Sequence, residues 1–256
     1  MSAEPISIWP LAHFPEVAPG DDVAALVVAA LEASHLRPGS GDTIVVTSKI
    51  VSKAEGRFVE LSSVTPGARA LELAQLTGKD ARLVEVILGQ AREVVRASPH
   101  VIIVETHGGL ILANAGIDQS NLARSDQGRR VLLLPEDPDG SAQRLKARLE
   151  AQHGCDLGVV ISDSAGRPWR LGTVGIAIGA AGLPSLWDRR GENDRTGRRL
   201  EVTEVAVADA IAAAAVLAMG EGAEGCPAAL VRGFAARAAP RPARDLIRPK
   251  HMDLFR

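Results

Sequence analysis

Tyrosine is absent from this sequence, and three tryptophans and four phenylalanines are its only aromatic residues, 3% of 256. A core must therefore rest on Val, Leu, Ile and Ala, with few large rings to anchor it. Cysteine is nearly absent too. Cys155 and Cys226 stand far apart with no C-x-x-C spacing, so neither a disulfide framework nor a cysteine zinc site organises the fold. The six histidines do not cluster, and ligation of a metal by imidazole is not expected. No charge sign dominates: 29 Lys and Arg against 31 Asp and Glu leave a net charge of −2, which gives no basis for a nucleic-acid or membrane partner. Apolar runs are short. Gly, Glu or Asp breaks the most hydrophobic windows well before the ~18 residues that a membrane helix needs. The N-terminal stretch MSAEPISIWPLAHFPEV lacks the basic start and apolar run of a signal peptide. A cytoplasmic enzyme is the default expectation. The common catalytic signatures are missing as well: no G-x-x-x-x-G-K-[ST], no G-x-G-x-x-G between a strand and a helix, and no G-x-S-x-G. A nucleotide bound here would use a less common route.

The chain is long enough for a sizeable core in one large domain or two small ones. At 46% hydrophobic and 23% charged residues, it reads as an ordinary globular protein. A short strand is expected at 6–9. A helix is expected over 23–33, capped by Asp21 or Asp22, whose carboxylate can accept from free first-turn N–H groups. Residues 42–50 read as a buried strand followed by the loop SKAEGR. Leu83, Val84, Ile87, Val94 and Val95 recur at helical spacing, which predicts helix from 66 to 96. Residues 101–104 and 110–113 read as a hairpin around His107-Gly108-Gly109. Further strands are expected at 131–134, 157–162, 173–180 and 228–231, and helices at 141–152 and 203–219. Residues 187–199 read as a long polar loop, and the Pro/Arg-rich tail from 235 as loosely packed. Strands and helices alternate without a regular period, so the expected class is α+β, with mixed or antiparallel sheets and flanking helices. Ala-rich and Gly-rich segments could also pack across a subunit boundary.

Four segments combine charge with glycine. In SKIVSKAEGR (48–57), Lys49 and Lys53 follow a buried strand and could reach a phosphate as point charges; a solvated basic turn has the same look. NAGIDQSN (114–121) packs Asn114, Asp118, Gln119, Ser120 and Asn121 into eight positions. Such oxygens suit a hard cation such as magnesium, and they equally suit a polar turn. In ISDSAGR (161–167), Asp163 directly follows a buried strand with a hydroxyl residue after it, a way to hold magnesium beside a phosphate; a capping Asp is the alternative. In MGEGAEGC (219–226), three glycines exceed what a helix C-cap needs, and their N–H groups could cradle phosphate oxygens. Asp118, Asp163 and Glu221 would then be three carboxylates from three loops, whose mutual repulsion divalent cations would offset.

SKIVSKAEGR, NAGIDQSN, LLPEDPDGSA, GVVISDSAGRPWRLGTVGIAIG, GRRLEVTEVAVADAIA and MGEGAEGCPAALVRG together resemble the coenzyme F420-0:L-glutamate ligases, a family of GTP-dependent γ-glutamyl ligases. The likeness runs from the FPEV segment to about Gly233. It implies a ligase domain over 1–240 with a tail at 241–256, the family's α+β fold as an intertwined homodimer, and no C-terminal nitroreductase-like domain. By resemblance, Asp118, Asp163 and Glu221 are metal ligands and catalytic, with Ser164 beside Asp163 where Thr is usual. Asn121, Ser48 and Lys53 match nucleotide-contacting positions, Lys53 also catalytic, and Lys49 stands where relatives carry Thr. Phe14, Pro15, Glu16 and Val17 align with an N-terminal nucleotide segment, though its usual first glycine is missing. Met219, Gly220, Glu221, Gly222, Ala223, Glu224, Gly225 and Cys226 match the glycine-rich nucleotide loop. The implied cofactors are magnesium or manganese, two ions, with potassium as a further candidate. The implied substrates are GTP, L-glutamate and coenzyme F420-0, joined through an acyl phosphate, with a second, γ-linked glutamate to follow. From their place flanking the Asp163 loop, Arg167 and Arg170 could hold anionic substrate groups, with surface ion pairing as the alternative. A ligase for another acceptor and a metal-dependent nucleotide hydrolase are the alternatives.

Overall fold

A computed structural model describes residues 5–119, 129–235 and 237–254. In chain order the strands are β1 (Ser7–Leu11), β2 (Thr43–Thr47), β3 (Phe58–Glu60), β4 (Ala91–Ser98), β5 (Val101–Thr106), β6 (Ile111–Ala113), β7 (Arg130–Leu132), β8 (Gly158–Arg167), β9 (Arg170–Ala181), β10 (Leu186–Asp188), β11 (Glu204–Ala206) and β12 (Ala228–Arg232). The helices are α1 (Val23–Ala33), α2 (Ser48–Ala54), α3 (Ala68–Thr77), α4 (Ala81–Gly89), α5 (Pro138–His153) and α6 (Val207–Met219). The main sheet has the order β1-β12-β2-β8-β9, in which only β2 and β8 run parallel. A three-stranded antiparallel sheet, β4-β5-β6, and the pairs β3-β7 and β10-β11 complete the set. The α+β expectation with mixed sheets is met.

Strand alternation splits the core in two. Ile44, Val46, Val159, Ile161, Ala228 and Leu230 face α1 and α5. Val45, Val160, Ala229 and Val231 face the Ala-rich α6. Because both faces of the sheet are covered, β2, β8 and β12 read as unbroken apolar runs. A third cluster joins α3 and α4 to Ile102, Val104 and Val131. Asp22 caps α1 through the Ala24 N–H.

Several expectations are corrected. Residues 48–54 are helix α2, not the end of a strand and a loop. Ile50, Val51 and Ala54 pack into the core, while Lys49 and Lys53 fall one turn apart on a helix instead of on a turn. The helix expected over 66–96 is two helices and a strand. Gly78 ends α3 in the left-handed region (φ 69°), Asp80 caps α4, and from Ala91 the chain is β4, with Val94 opposite Val104. The strands expected at 157–162 and 173–180 extend to 158–167 and 170–181. The polar loop 187–199 is flanked by β10 and β11, and α6 starts at Val207, not 203. The tail is not loose. Arg241 exchanges backbone bonds with Leu183 and Ser185, and Ala243 is buried and donates its N–H to Asp139 at 2.7 Å. Lys250 pairs with Glu93 at 2.7 Å, so the tail reaches the three-stranded sheet.

Candidate active site

Where β2 and β8 run parallel, their C-terminal ends open at the same edge, the usual place for a ligand crevice. A cavity of about 860 Å³ lies there. Its wall takes Phe14, Pro15, Glu16 and Val17 from the loop before α1; Ser48, Lys49 and Lys53 from α2; Asp118; Asp163 and Ser164 from β8; and all of residues 219–226. Segments more than two hundred residues apart thus meet, and each of the four loops read from sequence contributes residues to one space, although Asn114 and Gln119 do not line it. Asn121 lies outside the described residues. Arg167 and Arg170 do not line the cavity; they face each other as Cα partners at the far end of the β8–β9 hairpin.

Each acid reaches the cavity differently. Asp118 is anchored by two backbone hydrogen bonds of 2.9 Å with Leu132, after a tight turn in which Asn114 and Ala115 both take positive φ. Its carboxylate pairs with Lys49 at 2.8 Å. Asp163 lies on β8 just past the point where the β2–β8 pairing stops at Ser162, and is still paired with Ile176 of β9. It accepts from the Ser48 hydroxyl at 3.1 Å. Burial pushes its carboxyl up to about 6, and the nearby Asp118 charge adds to the rise, against the pull of the Ser164 N–H, Ser48 and Lys49. Glu221 follows the C-terminus of α6 and accepts from Ser164 Oγ, 2.7 Å from each carboxylate oxygen. The Lys53 side chain is buried, and its ammonium pairs with Glu16.

The glycine loop is already filled by its own chain. Gly220 takes φ 80°, and a Cβ there would lie 2.2 Å from the Glu224 carboxyl carbon. Glu224 folds over it and accepts from the Gly222 N–H at 2.7 Å. A carboxylate thus occupies the one glycine N–H of the loop that points to it, the kind of donor that can also take an anionic oxygen.

Among the described residues, no three His, Cys, Asp or Glu side chains stand close enough to hold one ion. The three acids share a wall without forming a ready-made cluster, each held by its own Lys or Ser. The donor chemistry nonetheless fits a hard divalent cation: two aspartates, a glutamate and two serine hydroxyls, all oxygen. The raised Asp163 carboxyl fits it too, since a cation would relieve both burial and the Asp118 charge. Sequence reasoning missed the apolar side of the cavity, made by Ile117, Leu132, Leu133, Leu134 and Val216. Its only signal was the run at 131–134, which looks the same as a core strand.

Among the described residues, no helix is long and apolar enough to cross a membrane. The sequence profile described as F420-0:Gamma-glutamyl ligase matches residues 12–233. The chain is 46% identical over 253 residues to the coenzyme F420:L-glutamate ligase of Methanothermobacter thermautotrophicus, a match covering 98% of this chain and 99% of that one. It is 46% identical over 245 residues to the enzyme of that name from Methanopyrus kandleri, covering 94% of each. Over 216 residues it is 45% identical to the one from Methanocaldococcus jannaschii, covering 84% of this chain and 85% of that one.

Proposed function

The chain belongs to the F420-0:gamma-glutamyl ligase family, and from that premise we propose that its cavity is a GTP-dependent active site in which divalent metal ions assist. The enzyme is a ligase that forms a carbon–nitrogen bond, joining L-glutamate to coenzyme F420-0. The observation that carries the nucleotide reading is the convergence on one cavity of the FPEV segment, α2, Asp118, Asp163 and the glycine loop.

In the proposed reaction, the acceptor's terminal carboxylate attacks the γ-phosphorus of GTP and GDP leaves, giving an acyl phosphate. The amine of glutamate then attacks the acyl carbon and expels phosphate. A second cycle on the product adds a γ-linked glutamate. The Lys53 ammonium exchanges Glu16 for a phosphate oxygen. The Gly222 backbone N–H exchanges Glu224 for phosphate. Asp118, Asp163 and Glu221, with the Ser164 hydroxyl, would hold magnesium or manganese, which when bound offsets phosphate charge in the transition state. The protein's part is positioning and fixed electrostatics, as in other phosphoryl transfers. We place the enzyme in the cytoplasm as a homodimer. Leu217, on α6, is 88% exposed, beside the small side chains of Ala210 and Ala214 on the same face, as a helix that meets a second copy would be.

The test combines purified protein, F420-0, GTP, L-glutamate and magnesium or manganese, with products read by mass spectrometry. Products heavier by one and two glutamates, with GDP formed in step, support the proposal. Phosphate release from GTP at the same rate without glutamate would instead make the site a nucleotide hydrolase. Ligation of glutamate to other carboxylates, but not to F420-0, would move the enzyme to a different acceptor.

A further inference from the structure

The β8–β9 hairpin runs on past the sheet. Strand β2 pairs with β8 only as far as Ser162, whereas β8 and β9 stay paired to Arg167 and Arg170. Residues 168–173 are exposed. Two residues, Pro168 and Trp169, close the arm. Pro168 suits the first corner of a type II turn. The second corner requires positive φ, where Gly or Asn is usual. Trp169 stands there at φ 58° and is 80% exposed. A large β-substituted residue in this region is strained, and such strain collects at functional sites. This chain has only three tryptophans, and one of them occupies the corner where the smallest residue would fit best.

The arm also carries two guanidinium groups. Among the described residues, Nε of Arg167 is buried without a hydrogen-bond partner, while its Nη2 donates to the Leu171 carbonyl at 3.2 Å. Arg170 faces it across the arm. The root of the arm is Asp163 and Ser164, at the cavity wall. From Asp163 to Trp169, six residues of extended chain span at most about 20 Å.

Resting on the functional reading above, we propose that this arm recognises the acceptor: Trp169 stacks on its flat deazaflavin ring, and Arg167 and Arg170 bind the anionic group between the ring and the reacting carboxylate. An indole face and two guanidinium groups match a planar heteroaromatic ring that carries a phosphate. Their place at the end of the β8–β9 pairing, outside the cavity lining, sets the ring away from the point of phosphoryl transfer. The arm thereby selects which carboxylate is activated.

The experiment compares wild type, Trp169→Phe and Trp169→Ala in steady-state ligation. It also measures F420-0 binding by calorimetry without GTP, and the sedimentation of each variant. Expected are an acceptor KM and Kd raised about tenfold or more in W169A, recovered to within about threefold in W169F. The KM for GTP and the kcat at saturating acceptor stay within about twofold. Arg167→Gln is expected to raise acceptor KM in the same way. Wild-type ligation tests the functional reading separately. Normal ligation with an unchanged acceptor KM in W169A overturns the inference and leaves that reading intact. A shift of W169A to a smaller species, with unchanged F420-0 binding, also overturns it, because the indole would then serve a subunit contact.

Discussion

Asp163 carries its charge at the edge of a buried strand, beside the Asp118 carboxylate. Its carboxyl is raised from an ordinary 3.8 to about 6, first by burial and then by that neighbour. A folded-state value above the unfolded one means that the native state disfavours the charged form. The penalty is absent below about pH 4, grows as pH rises, and is complete above about pH 6. Asp163→Asn removes it. In the presence of a chelator, the variant is expected to be more stable than wild type above pH 6, by on the order of 1 kcal/mol, with the difference vanishing near pH 4. Thermal melts across that range measure it. The same variant is expected to lose ligation, since a charge that weakens the fold is kept for what it binds. Equal melting curves at all pH values would remove the strain argument. Glu224 makes the opposite case. Its carboxylate folds over the Gly220–Gly222 loop, so on the proposed reading it has to leave before phosphate can enter. Glu224→Ala is therefore expected to tighten GTP binding by about threefold to tenfold by relieving like-charge competition. Weaker binding in a calorimetric titration would make Glu224 a nucleotide contact instead of a stand-in for one.

At the scale of elements, β9 is the edge strand of the main sheet, and the chain protects its unpaired donors with two helix-borne aspartates. A register shift near Gly179 frees N–H groups on β9. Asp209 of α6 accepts from Ala177 at 2.9 Å, and Asp139 of α5 accepts from Ala180 at 2.9 Å. Burial raises the carboxyl of Asp209, and the Ala177 N–H opposes the rise. Asp139 also takes the Ala243 N–H, tying the tail to the sheet. Asp139→Ala leaves those donors unsatisfied and is expected to cost about 2–3 kcal/mol, read by urea denaturation. Ligation kinetics should change little, as Asp139 does not line the cavity. Close packing is the second device. A Cβ at Gly179 would lie 2.3 Å from the Pro138 carbonyl oxygen, and one at Gly175 would lie 2.6 Å from the Ala212 carbonyl oxygen. Neither backbone group can swing aside, so Gly179→Ala is expected to destabilise by about 2 kcal/mol or more. In sequence these glycines fell inside a segment read as a strand, with nothing to show what packs on them. What they allow is the approach of α5 and α6 to opposite faces of one strand, a tertiary fact that a local pattern does not carry.

For the whole molecule, the sequence was most legible where a pattern is local and one-sided. Helix α1 with its Asp22 cap, the hairpin around Gly108 and the buried strand at 157–162 are such cases. It was least legible where an apolar run serves two element types. Residues 43–54 are apolar enough for one strand, and only the packing of Ile50 and Val51 against α1 turns the second half into α2. That misreading mattered to the site, because α2 is what points Lys49 and Lys53 into the cavity. The acids were found by the company each keeps: Asp118 among amides, Asp163 after a strand, Glu221 among glycines. Their separate holding by Lys49, Ser48 and Ser164 was not visible, because no local spacing links residues 57 to 115 positions apart. This arrangement yields the last prediction. Had the carboxylates formed a bare cluster, the fold would need cations to hold them together, and chelation would loosen the edge of the sheet. Instead each acid has a protein partner and sits on an element secured elsewhere: Asp118 by Leu132, Asp163 by β9, Glu221 by the buried Met219 of α6. Removing divalent metal is therefore expected to abolish ligation while leaving the circular dichroism spectrum unchanged and the melting temperature within a few degrees. Adding magnesium back should restore activity without a refolding step. A large fall in melting temperature on chelation would mean that metal binding supplies folding energy, and that the Lys and Ser pairs are not enough to hold the site open.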